Sequence, residues 1–348
     1  MALKHVVYYD RLQDSVAERM LLERPDFRVS RLSYASPEAQ NYRAMTGAHG
    51  YFITAARDEV PLPYQGTREL FEHCPNLLVL ASTGAGYDTI DLDACTAAGI
   101  AAINQAGGNA EGVAEHVLAM LLALSKNLGI ADRRMRSERI FDRAGLIGRN
   151  LQGKTVGIIG LGHVGRRVAA LCRGLFGCRV LAYDPYLSAQ QFAERGAEPA
   201  AFDDLLRQAD YVSINCPRTR ETTGMLDARA FGLMKQGAFF VTTARGGIHN
   251  EAALHAALVS GHLAGAGLDV WAKEPPELDH PLLALDNVIA SPHIAGVTHE
   301  SRYEIAVLAG RQMIEIFQGR KPDRLLNPEV WERWLKRYEQ MFGRLPAG

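Results

Sequence analysis

The feature that most constrains this chain is a glycine-rich turn at residues 160–165, with the spacing G-x-G-x-x-G. An apolar strand is predicted to begin at Thr155 before the turn, and a helix to run from about His163 to Phe176 after it. A second apolar strand, Arg179 to Tyr183, ends at Asp184, roughly 20 residues past the last glycine. Strand, turn, helix, strand and acid in this order are typical of a βαβ unit that binds a dinucleotide.

Each glycine of this turn has a physical task in such a unit. Gly160 permits the tight turn, Gly162 lets a pyrophosphate approach the backbone, and Gly165 lets the helix pack close to the strand. The N–H groups at the helix N-terminus attract phosphates, and the carboxylate of Asp184 can accept hydrogen bonds from both ribose hydroxyls. The alternative interpretation is a structural βαβ turn followed by an incidental acid.

Length, charge and cysteine content narrow the class of protein. The 348 residues are enough for two domains with separate cores, and a net charge of −1 without a basic stretch argues against nucleic acid as a partner. The five cysteines are odd in number and lack metal-ligand spacing, so we expect no metal and interpret them as buried thiols in a reducing cytoplasm. They are Cys74, Cys95, Cys172, Cys178 and Cys216.

The chain offers no pattern typical of export or membrane insertion. Met1 to His5 lead straight into a predicted strand, and we expect no signal peptide. The longest apolar run, Val117 to Leu124, is too short to span a bilayer and predicts a buried helix. We therefore expect a cytoplasmic protein that does not contact a membrane.

Alternating strand and helix patterns predict an α/β protein with two doubly wound domains. The strands of the first series are His5–Tyr9, Phe27–Leu32, Tyr51–Thr54, Leu77–Ser82 and Ile100–Asn104. The helical stretches between them are Ser15–Leu22, Pro37–Met45 and Arg68–His73. The second series begins at Thr155 and continues through Tyr211–Asn215, Ala238–Thr242, Ala264–Val270 and Val288–Ala290. Because the dinucleotide motif lies only in the second series, we expect the cofactor along that domain, with the first domain closing over it.

Two helices mark the expected domain boundaries, since no low-complexity linker is present. Asn109 caps the first, a long helix with an apolar stripe. The stripe comprises Val113, Val117, Met120, Leu121 and Leu124. The other helix runs from about Glu300 to Phe317 and precedes a polar tail ending in LPAG. Within the tail, Trp331 and Trp334 share one helical face, and we expect them to pack on the protein body or on a partner subunit.

Three segments at predicted strand ends carry the candidate chemical residues. Arg245 follows the strand in VTTARGG, and its planar, permanently charged guanidinium suits a carboxylate. Asp269 ends the strand in GAGLDVWAKEPP, and Glu274 lies in the loop after it. His293 follows the strand in IASPHIAG and is the type of side chain best suited to proton transfer near neutral pH. Taken singly, these residues are also explained by a salt bridge, by two solvated loop acids and by a structural histidine.

The order and the sequences of these segments resemble those of the D-isomer-specific 2-hydroxyacid dehydrogenase family, which includes D-3-phosphoglycerate dehydrogenase, hydroxypyruvate reductase and D-lactate dehydrogenase. The resemblance covers nearly the whole chain, and its further motifs are GAGYD at 84–88, ID at 90–91, GGN at 107–109 and VAEH at 113–116. It implies a Rossmann NAD-binding domain at residues 105–296, inserted into a flavodoxin-like substrate domain formed by residues 1–104 and 297–348. It also implies a homodimer, held mainly through the cofactor domain, that interconverts a 2-hydroxy acid and its 2-oxo acid with NAD.

The resemblance implies a role for each candidate residue. His293 would be the general acid/base on the C2 oxygen, Glu274 would hold its imidazole and raise its pKa, and Arg245 would bind the substrate carboxylate and polarise the carbonyl. Backbone N–H groups at Thr83, Gly84 and Ala85 would also hold the carboxylate. The expected contacts at the pyrophosphate turn are Gly160, Gly162, His163, Val164 and Gly165. Asp184 would bind the adenosine ribose, Cys216 and Pro217 would lie near the adenine, and Asp269 would bind the nicotinamide carboxamide. Thr243 and Ala244 are further expected cofactor contacts.

Some positions depart from the commonest family pattern. Asn215–Pro217 and Asp269–Trp271 resemble the formate dehydrogenases of the same superfamily, but those enzymes have glutamine at the position of Glu274. A carboxylate there favours hydroxyacid chemistry over formate oxidation. Arg218 stands where leucine is common and leaves the details of the adenine pocket open, and His163 is explained equally by phosphate binding or by plain exposure. The chain stops soon after its last helix, so we expect no regulatory amino-acid-binding domain and no serine feedback.

Further questions stay open at the level of sequence. Some relatives with this fold act as NAD-sensing corepressors rather than enzymes, although this chain shows no added disordered or basic segment for such recruitment. Arg57, in the loop 54–58, could meet an anionic substrate tail or be an exposed loop charge, and Tyr87 is a second candidate for the pocket. The motifs identify neither the physiological 2-hydroxy acid nor the preferred direction. Asp184 does predict a preference for NAD over NADP, because its carboxylate would repel a 2′-phosphate.

Overall fold

The computed structural model describes residues 3–137 and 143–346 of the chain. It divides into two compact units, which we call the terminal unit (Met1–Asn109 with Thr298–Gly348) and the central unit (Ala110–Val297). The predicted boundaries, after residues 104 and 296, lie within a few residues of this division, and the function of each part stays a prediction. Residues 1–2 and 347–348 of the predicted substrate domain and 138–142 of the predicted NAD-binding domain lie outside the described residues.

The strands of both units pair in parallel. In chain order they are β1 (Lys4–Tyr9), β2 (Phe27–Leu32), β3 (Gly50–Ile53), β4 (Val79–Ser82), β5 (Ala101–Ile103), β6 (Thr155–Ile159), β7 (Arg179–Tyr183), β8 (Glu198–Pro199), β9 (Tyr211–Ile214), β10 (Ala238–Thr242), β11 (Leu263–Leu268) and β12 (Val288–Ala290). The strand order is β2-β1-β3-β4-β5 in the terminal unit and β8-β7-β6-β9-β10-β11-β12 in the central unit. These are the flavodoxin-like and Rossmann orders, so the predicted fold class is confirmed.

Helices connect the strands. They are α1 (Val16–Leu22), α2 (Glu38–Met45), α3 (Arg68–His73), α4 (Leu92–Ala98), α5 (Ala110–Ser125), α6 (Leu128–Ser137), α7 (His163–Phe176), α8 (Ala189–Glu194), α9 (Phe202–Gln208), α10 (Ala228–Leu233), α11 (Glu251–Val259), α12 (His299–Phe317) and α13 (Trp331–Phe342). Short 3-10 turns lie at Arg57–Glu59, Leu62–Tyr64, Ala144–Leu146, Pro281–Ala284 and Pro328–Val330.

Local sequence explains where these elements lie. Every residue of β3, β4, β9 and β10 is buried, as apolar strands are in a parallel sheet covered on both faces. The side chains of Asp91, Asn250 and Thr298 accept backbone N–H groups at the starts of α4, α11 and α12. Gly99 and Gly177 end α4 and α7 in the left-handed conformation.

The C-terminal tryptophans pack within the terminal unit. The rings of Trp331 and Trp334 are stacked, with centroids 4.9 Å apart. Trp334 is fully buried, and its indole N–H donates to the carbonyl oxygen of Leu78 at 3.0 Å. Of the two alternatives left open by the sequence, packing on the protein body is therefore the one observed.

Helix α5 packs through the stripe predicted for it. Val113, Val117, Met120, Leu121 and Leu124 are all buried, and α5 joins the apolar core around β6 and β10 of the central unit. Within residues 3–137 and 143–346, no single helix is long and apolar enough to cross a membrane. Helices α5 and α6 meet that requirement only as a pair bent by 62°.

Candidate active site

The glycine-rich turn between β6 and α7 has the geometry that the motif predicts. Gly160 has a φ of +88°, and a Cβ there would lie 2.6 Å from the backbone nitrogen of Cys216. A Cβ on Gly165 would lie 2.0 Å from the carbonyl oxygen of Gly160. At Gly162, by contrast, a Cβ would meet no described atom within 4 Å. The outer glycines serve the turn and the helix packing, and the middle one leaves open space in front of the backbone.

This open space lies at the N-terminus of α7 and fits a pyrophosphate. Gly162 is the N-cap residue. Because glycine has no side chain to accept the first-turn N–H groups, these groups and their partial positive charge are left for a ligand. His163 is exposed, with Nδ1 lying 3.2 Å from Nη2 of Arg166, and Val164 is half-buried. The backbone of this turn therefore fits the phosphates of a dinucleotide, while direct contacts from His163 and Val164 stay predictions.

The carboxylate of Asp184, after β7, points toward the glycine turn. Its Oδ2 accepts the N–H of Leu161 at 3.0 Å, and its Oδ1 accepts the N–H of Tyr186 at 3.2 Å. The guanidinium of Arg195 donates to the carbonyl oxygen of Leu161 at 2.7 Å. Each carboxylate oxygen has a second lone pair, so these bonds orient Asp184 without exhausting its capacity to accept ribose hydroxyls.

A buried acid shapes the loop that carries His293, after β12. The backbone of His293 is left-handed, with a φ of +55°, and its N–H donates to the carbonyl oxygen of Asp269 at 2.7 Å. The carboxylate of Asp269 is fully buried. It accepts the N–H groups of Ile294 at 2.8 Å and Ala295 at 2.9 Å, and the hydroxyl of Ser291 at 2.6 Å. The left-handed conformation is uncommon for a non-glycine residue, and the hydrogen bonds to Asp269 hold the loop in it.

The imidazole of His293 is paired with the carboxylate of Glu274. Nδ1 of His293 lies 2.7 Å from Oε2 of Glu274, whose Oε1 accepts the N–H of Trp271 at 3.0 Å. The indole N–H of Trp271 donates to the carbonyl oxygen of Ser291 at 3.1 Å, which ties the two loops together. With Nδ1 engaged, proton exchange with a substrate must use Nε2.

The pairing shifts the pKa of both partners in the directions that favour an ion pair. The hydrogen bond to Glu274 is the largest influence on His293 and raises its pKa, against the opposing effects of burial and of the Arg245 charge. For Glu274, burial is the largest influence and acts to raise the pKa. Hydrogen bonds from His293 and Trp271, with the charges of His293 and Arg245, outweigh burial and lower it. Both shifts keep imidazolium and carboxylate charged over a wider pH range.

Arg245 lies in the loop after β10, within electrostatic reach of this pair. Its side chain is half-buried, and Nη1 donates to the carbonyl oxygen of Ala244 at 2.7 Å. Its positive charge contributes to the pKa shifts of both Glu274 and His293. The structure thus brings together the three residues predicted as catalytic.

A backbone contact joins the loop of Arg245 to the loop of Glu274. A Cβ on Gly246 would lie 1.8 Å from the carbonyl oxygen of Trp271, so only glycine permits this approach. Arg218, whose role was open, donates from Nη1 to the carbonyl oxygen of Gly246 at 3.3 Å. The position that departs from the family pattern therefore supports the Arg245 loop.

Four predicted cofactor contacts lie after the strands β9 and β10. Cys216 is half-buried beside Gly160, and burial raises the pKa of its thiol to about 11. Pro217 is exposed, Thr243 is buried and Ala244 is half-buried. In the parallel sheet β9 lies next to β6, and β10 lies next to β9. These residues therefore share the carboxyl edge of the sheet with the glycine turn, where α/β sheets bind their ligands.

The predicted carboxylate-binding loop follows β4 in the terminal unit. The N–H of Thr83 donates to the carbonyl oxygen of Ile53 at 2.8 Å, so this expected donor is already committed to the sheet. The N–H groups of Gly84 and Ala85 donate to no group among the described residues. They are the two backbone donors of the loop that stay predicted for a carboxylate.

Arg57 is fixed beside the same loop. Its Nε donates to the carbonyl oxygen of Asp88 at 2.7 Å, and its side chain is exposed. Tyr87 is half-buried and packs against the core of the terminal unit. This geometry suits either interpretation of Arg57, an anion contact or an exposed charge.

Comparison with known proteins agrees with the geometry of the central unit. Residues 118–295 match the family model described as D-isomer specific 2-hydroxyacid dehydrogenase, NAD binding domain. The chain belongs to the D-isomer specific 2-hydroxyacid dehydrogenase family. Its central unit therefore carries the NAD-binding domain of that family.

Relatives in this family differ in name and length. A glyoxylate reductase from Korarchaeum cryptofilum is 37% identical over 265 residues, 75% of this chain and 80% of that protein. A D-3-phosphoglycerate dehydrogenase from Archaeoglobus fulgidus is 40% identical over 251 residues, 72% of this chain. This chain spans about half the length of the curated D-3-phosphoglycerate dehydrogenases that it matches. The crystal structure of D-lactate dehydrogenase from Aquifex aeolicus, complexed with NAD and lactic acid, is 26% identical, with a TM-score of 0.75 and 99% coverage of both chains.

Two further residues, near Asp269 and the His293 loop, were not predicted from the sequence to belong to the site. His116, in the VAEH motif, places Nε2 3.1 Å from Oγ of Ser291, and Ser291 binds Asp269. Both residues lie in segments that were noted for the family resemblance, and that was the available signal.

Among the described residues, no group of three or more His, Cys, Asp or Glu side chains could hold a metal ion.

Proposed function

We propose that this protein is an NAD-dependent oxidoreductase that interconverts a D-2-hydroxy acid and its 2-oxo acid. The observation that carries the proposal is the pair of His293 and Glu274, 2.7 Å apart and subject to the charge of Arg245. The glycine turn at 160–165 belongs to the same unit. A proton donor, a carboxylate receptor and a dinucleotide site are the parts that such a reaction requires.

His293 exchanges the proton on the substrate C2 oxygen. Reduction of a 2-oxo acid develops negative charge on that oxygen, and the charged imidazole donates its Nε2 proton there. Oxidation requires the neutral imidazole to take the proton back. The bound nicotinamide supplies or accepts the hydride at C2. Glu274 orients the ring through Nδ1 and favours the charged form, because this hydrogen bond raises the pKa of His293.

Arg245 binds the substrate carboxylate. Its planar fork of N–H groups matches two carboxylate oxygens, and its charge stabilises the negative charge that develops on C2 oxygen. The same charge opposes Glu274 by lowering the pKa of His293. This influence offsets only part of the effect of Glu274, since the pKa of His293 is raised overall.

The other contacts are proposed as predicted, except that the N–H of Thr83 already donates to the carbonyl oxygen of Ile53. Gly162, His163 and Val164 meet the pyrophosphate, and Asp184 binds the adenosine ribose. The support is the open space at Gly162 and the orientation of the Asp184 carboxylate toward the turn. The N–H groups of Gly84 and Ala85 hold the substrate carboxylate, supported by their lack of a partner among the described residues. These assignments are part of the proposal.

The chemistry of Glu274 and His293 separates this proposal from formate oxidation. Conversion of formate to carbon dioxide transfers a hydride but places no proton on an oxygen. An imidazole whose pKa is raised by a carboxylate is a proton donor, and formate oxidation has no use for one. Reduction of a 2-oxo acid does require such a donor.

The test is oxidation of NADH with glyoxylate, hydroxypyruvate and phenylpyruvate, beside reduction of NAD by formate. We expect turnover of at least one oxo acid, with a D-configured product from hydroxypyruvate or phenylpyruvate, whose products are chiral. His293→Ala should lower kcat by roughly 100-fold or more. Formate oxidation by the wild-type protein would replace the proposal. NADH binding without turnover of any substrate would favour an NAD-sensing binding protein.

We further infer that the protein is a homodimer in a reducing compartment such as the cytoplasm. The five cysteines are free thiols, and all but Cys216 are buried. Such thiols suit a reducing environment. The dimer rests on the family resemblance. Light scattering during gel filtration should give twice the 38.1 kDa chain mass, and a monomer mass would refute the dimer.

A further inference from the structure

His116 and Ser291 extend the network around Asp269, and the proposed chemistry uses neither. His116 lies on α5, with Nε2 3.1 Å from Oγ of Ser291 and 3.8 Å from Oδ1 of Asp269. Ser291 lies between β12 and His293, and its Oγ is 2.6 Å from Oδ1 of Asp269. The side chain of His116 is 23% exposed and that of Asp269 is fully buried. A mostly covered imidazole therefore contacts the group that organises the His293 loop.

Which group donates in the two hydrogen bonds of Ser291 follows from the single proton on its hydroxyl group. A carboxylate only accepts, so the single hydroxyl proton of Ser291 is donated to Asp269. The oxygen of Ser291 then accepts from His116, which requires a proton on Nε2 of the imidazole. The chain of donors runs from His116 through Ser291 to Asp269.

We propose that His116 is a positioning residue for His293, acting through Ser291 and Asp269. The carbonyl of Asp269 accepts the N–H of His293, and its carboxylate accepts the N–H groups of the two residues that follow. The Nε2–H of His116 stops the Ser291 hydroxyl from rotating away from the carboxylate. The carboxylate in turn holds the left-handed loop, and with it the imidazole, in place for proton transfer.

This inference rests on the proposed function in one respect. Turnover reports the position of His293 only if His293 is the proton donor. The hydrogen-bond chain itself makes a claim that does not depend on activity, because it fixes which ring nitrogen of His116 carries a proton.

The first test is therefore spectroscopic. Long-range ¹H–¹⁵N spectra of the full-length protein with ¹⁵N-labelled histidine distinguish the two ring nitrogens, and comparison with His116→Gln identifies the His116 signals. We expect Nε2 to be protonated at neutral pH. A neutral ring protonated only on Nδ1 would overturn the chain, because Nε2 would then accept the hydroxyl proton that Asp269 requires.

The second test is kinetic and uses matched variants. His116→Phe keeps a ring but removes the donor, whereas His116→Gln keeps a donor near the position of Nε2. We expect His116→Phe to lower kcat about 10-fold with little change in NADH affinity, and His116→Gln to recover most of that loss. Ser291→Ala should match His116→Phe, and the double variant should be no worse than either, because both belong to one chain.

Outcomes of the kinetic test separate positioning from a merely structural role. Loss of packing alone would lower Tm without a difference in kcat between the phenylalanine and glutamine variants. Wild-type kcat in His116→Phe, or equal losses in both variants, would overturn the proposal. If the wild-type protein turns over no 2-oxo acid, the proposed function fails, and the spectra still decide the hydrogen-bond chain.

Discussion

Replacing Gly246 by alanine should disable the site without altering any side chain in it. A Cβ there would lie 1.8 Å from the carbonyl oxygen of Trp271 and 2.8 Å from the nitrogen of Ala272. Ordinary contact begins near 3.4 Å, so the two backbones must separate by about 1.6 Å. One backbone carries Arg245 and the other carries Glu274. Their separation moves Arg245, which binds the substrate carboxylate, away from Glu274, which pairs with His293.

A displacement of this size has two measurable costs. Misplacing a reacting group by about 1 Å can cost roughly 100-fold in rate, which is about 2.7 kcal/mol of transition-state stabilisation. Overpacking costs about 1–3 kcal/mol of folding free energy, and each kcal/mol lowers Tm by a few degrees in a chain of this length. We therefore expect kcat/KM for the oxo acid to fall about 100-fold in a protein that remains folded at 25 °C.

Gly174→Ala is the matched control for this prediction. Gly174 lies within α7, and a Cβ there would meet no described atom within 4 Å. Alanine within a helix should raise stability by about 0.4–1 kcal/mol and leave kcat/KM unchanged. Steady-state kinetics, NADH titration and thermal unfolding compare the two variants. NADH affinity should be unchanged in Gly174→Ala. Gly246→Ala should weaken it less than it lowers kcat/KM, since the 160–165 turn stays intact and only the predicted contacts Thr243 and Ala244 lie in the displaced loop. Equal kcat/KM in the two variants would refute the argument that the Gly246 contact positions the site.

Three substitution or cofactor experiments test the rest of the site. Arg245→Ala should abolish useful turnover while NADH titrations stay nearly normal, and Arg245→Lys should also be poor because a point charge cannot reproduce the fork; unfolding or lost NADH affinity would instead indicate a structural role. Glu274→Gln keeps the shape of the side chain but removes the negative charge that helps to raise the pKa of His293. Since reduction needs the charged histidine and fails as pH rises through that pKa, the alkaline limb of kcat/KM for reduction should move to lower pH, and the limb for oxidation should move the same way. An unchanged limb would show that Glu274 is not the partner that matters. NADH should be preferred to NADPH, because Asp184 would repel a 2′-phosphate; equal kcat/KM would contradict that role.

Local pattern was sufficient for the elements that have a strong apolar period or a glycine boundary. Helix α7 and strands β7, β10 and β12 begin and end at the residues predicted for them. Helices α8, α9 and α10 were not predicted. Each has six or seven residues and therefore only a weak apolar period, although the equally short α1 and α3 were predicted. Helix α6 was missed for a different reason. None of its residues is buried, so no apolar stripe distinguishes it from a polar loop.

Residue type at a strand end made Arg245 and His293 candidates, but a salt bridge and a structural histidine explained them as well. The order of motifs that resembles the family gave each residue a role, and the structure places both in the same electrostatic environment. Hydrogen bonds between residues far apart in the chain cannot be predicted from the spacing of residues in the sequence. The bond of His116 to Ser291 joins residues 175 apart, and the commitment of the Thr83 N–H to a neighbouring strand depends on sheet register. Such features follow from tertiary structure alone.

The two acids after β11 show how surroundings decide what a carboxylate does. Asp269 is fully buried, and its carboxylate accepts two backbone N–H groups and a hydroxyl, so it fixes the conformation of a loop. Glu274 is half-buried and accepts one backbone N–H and an imidazole nitrogen, so its charge acts on a titrating group. His293 is therefore held through its backbone by one acid and through its ring by the other. The charge of Asp269 also raises the pKa of His293, although less than Glu274 does. Changes in the Asp269 network should therefore act chiefly on kcat, and changes at Glu274 chiefly on the pH profile.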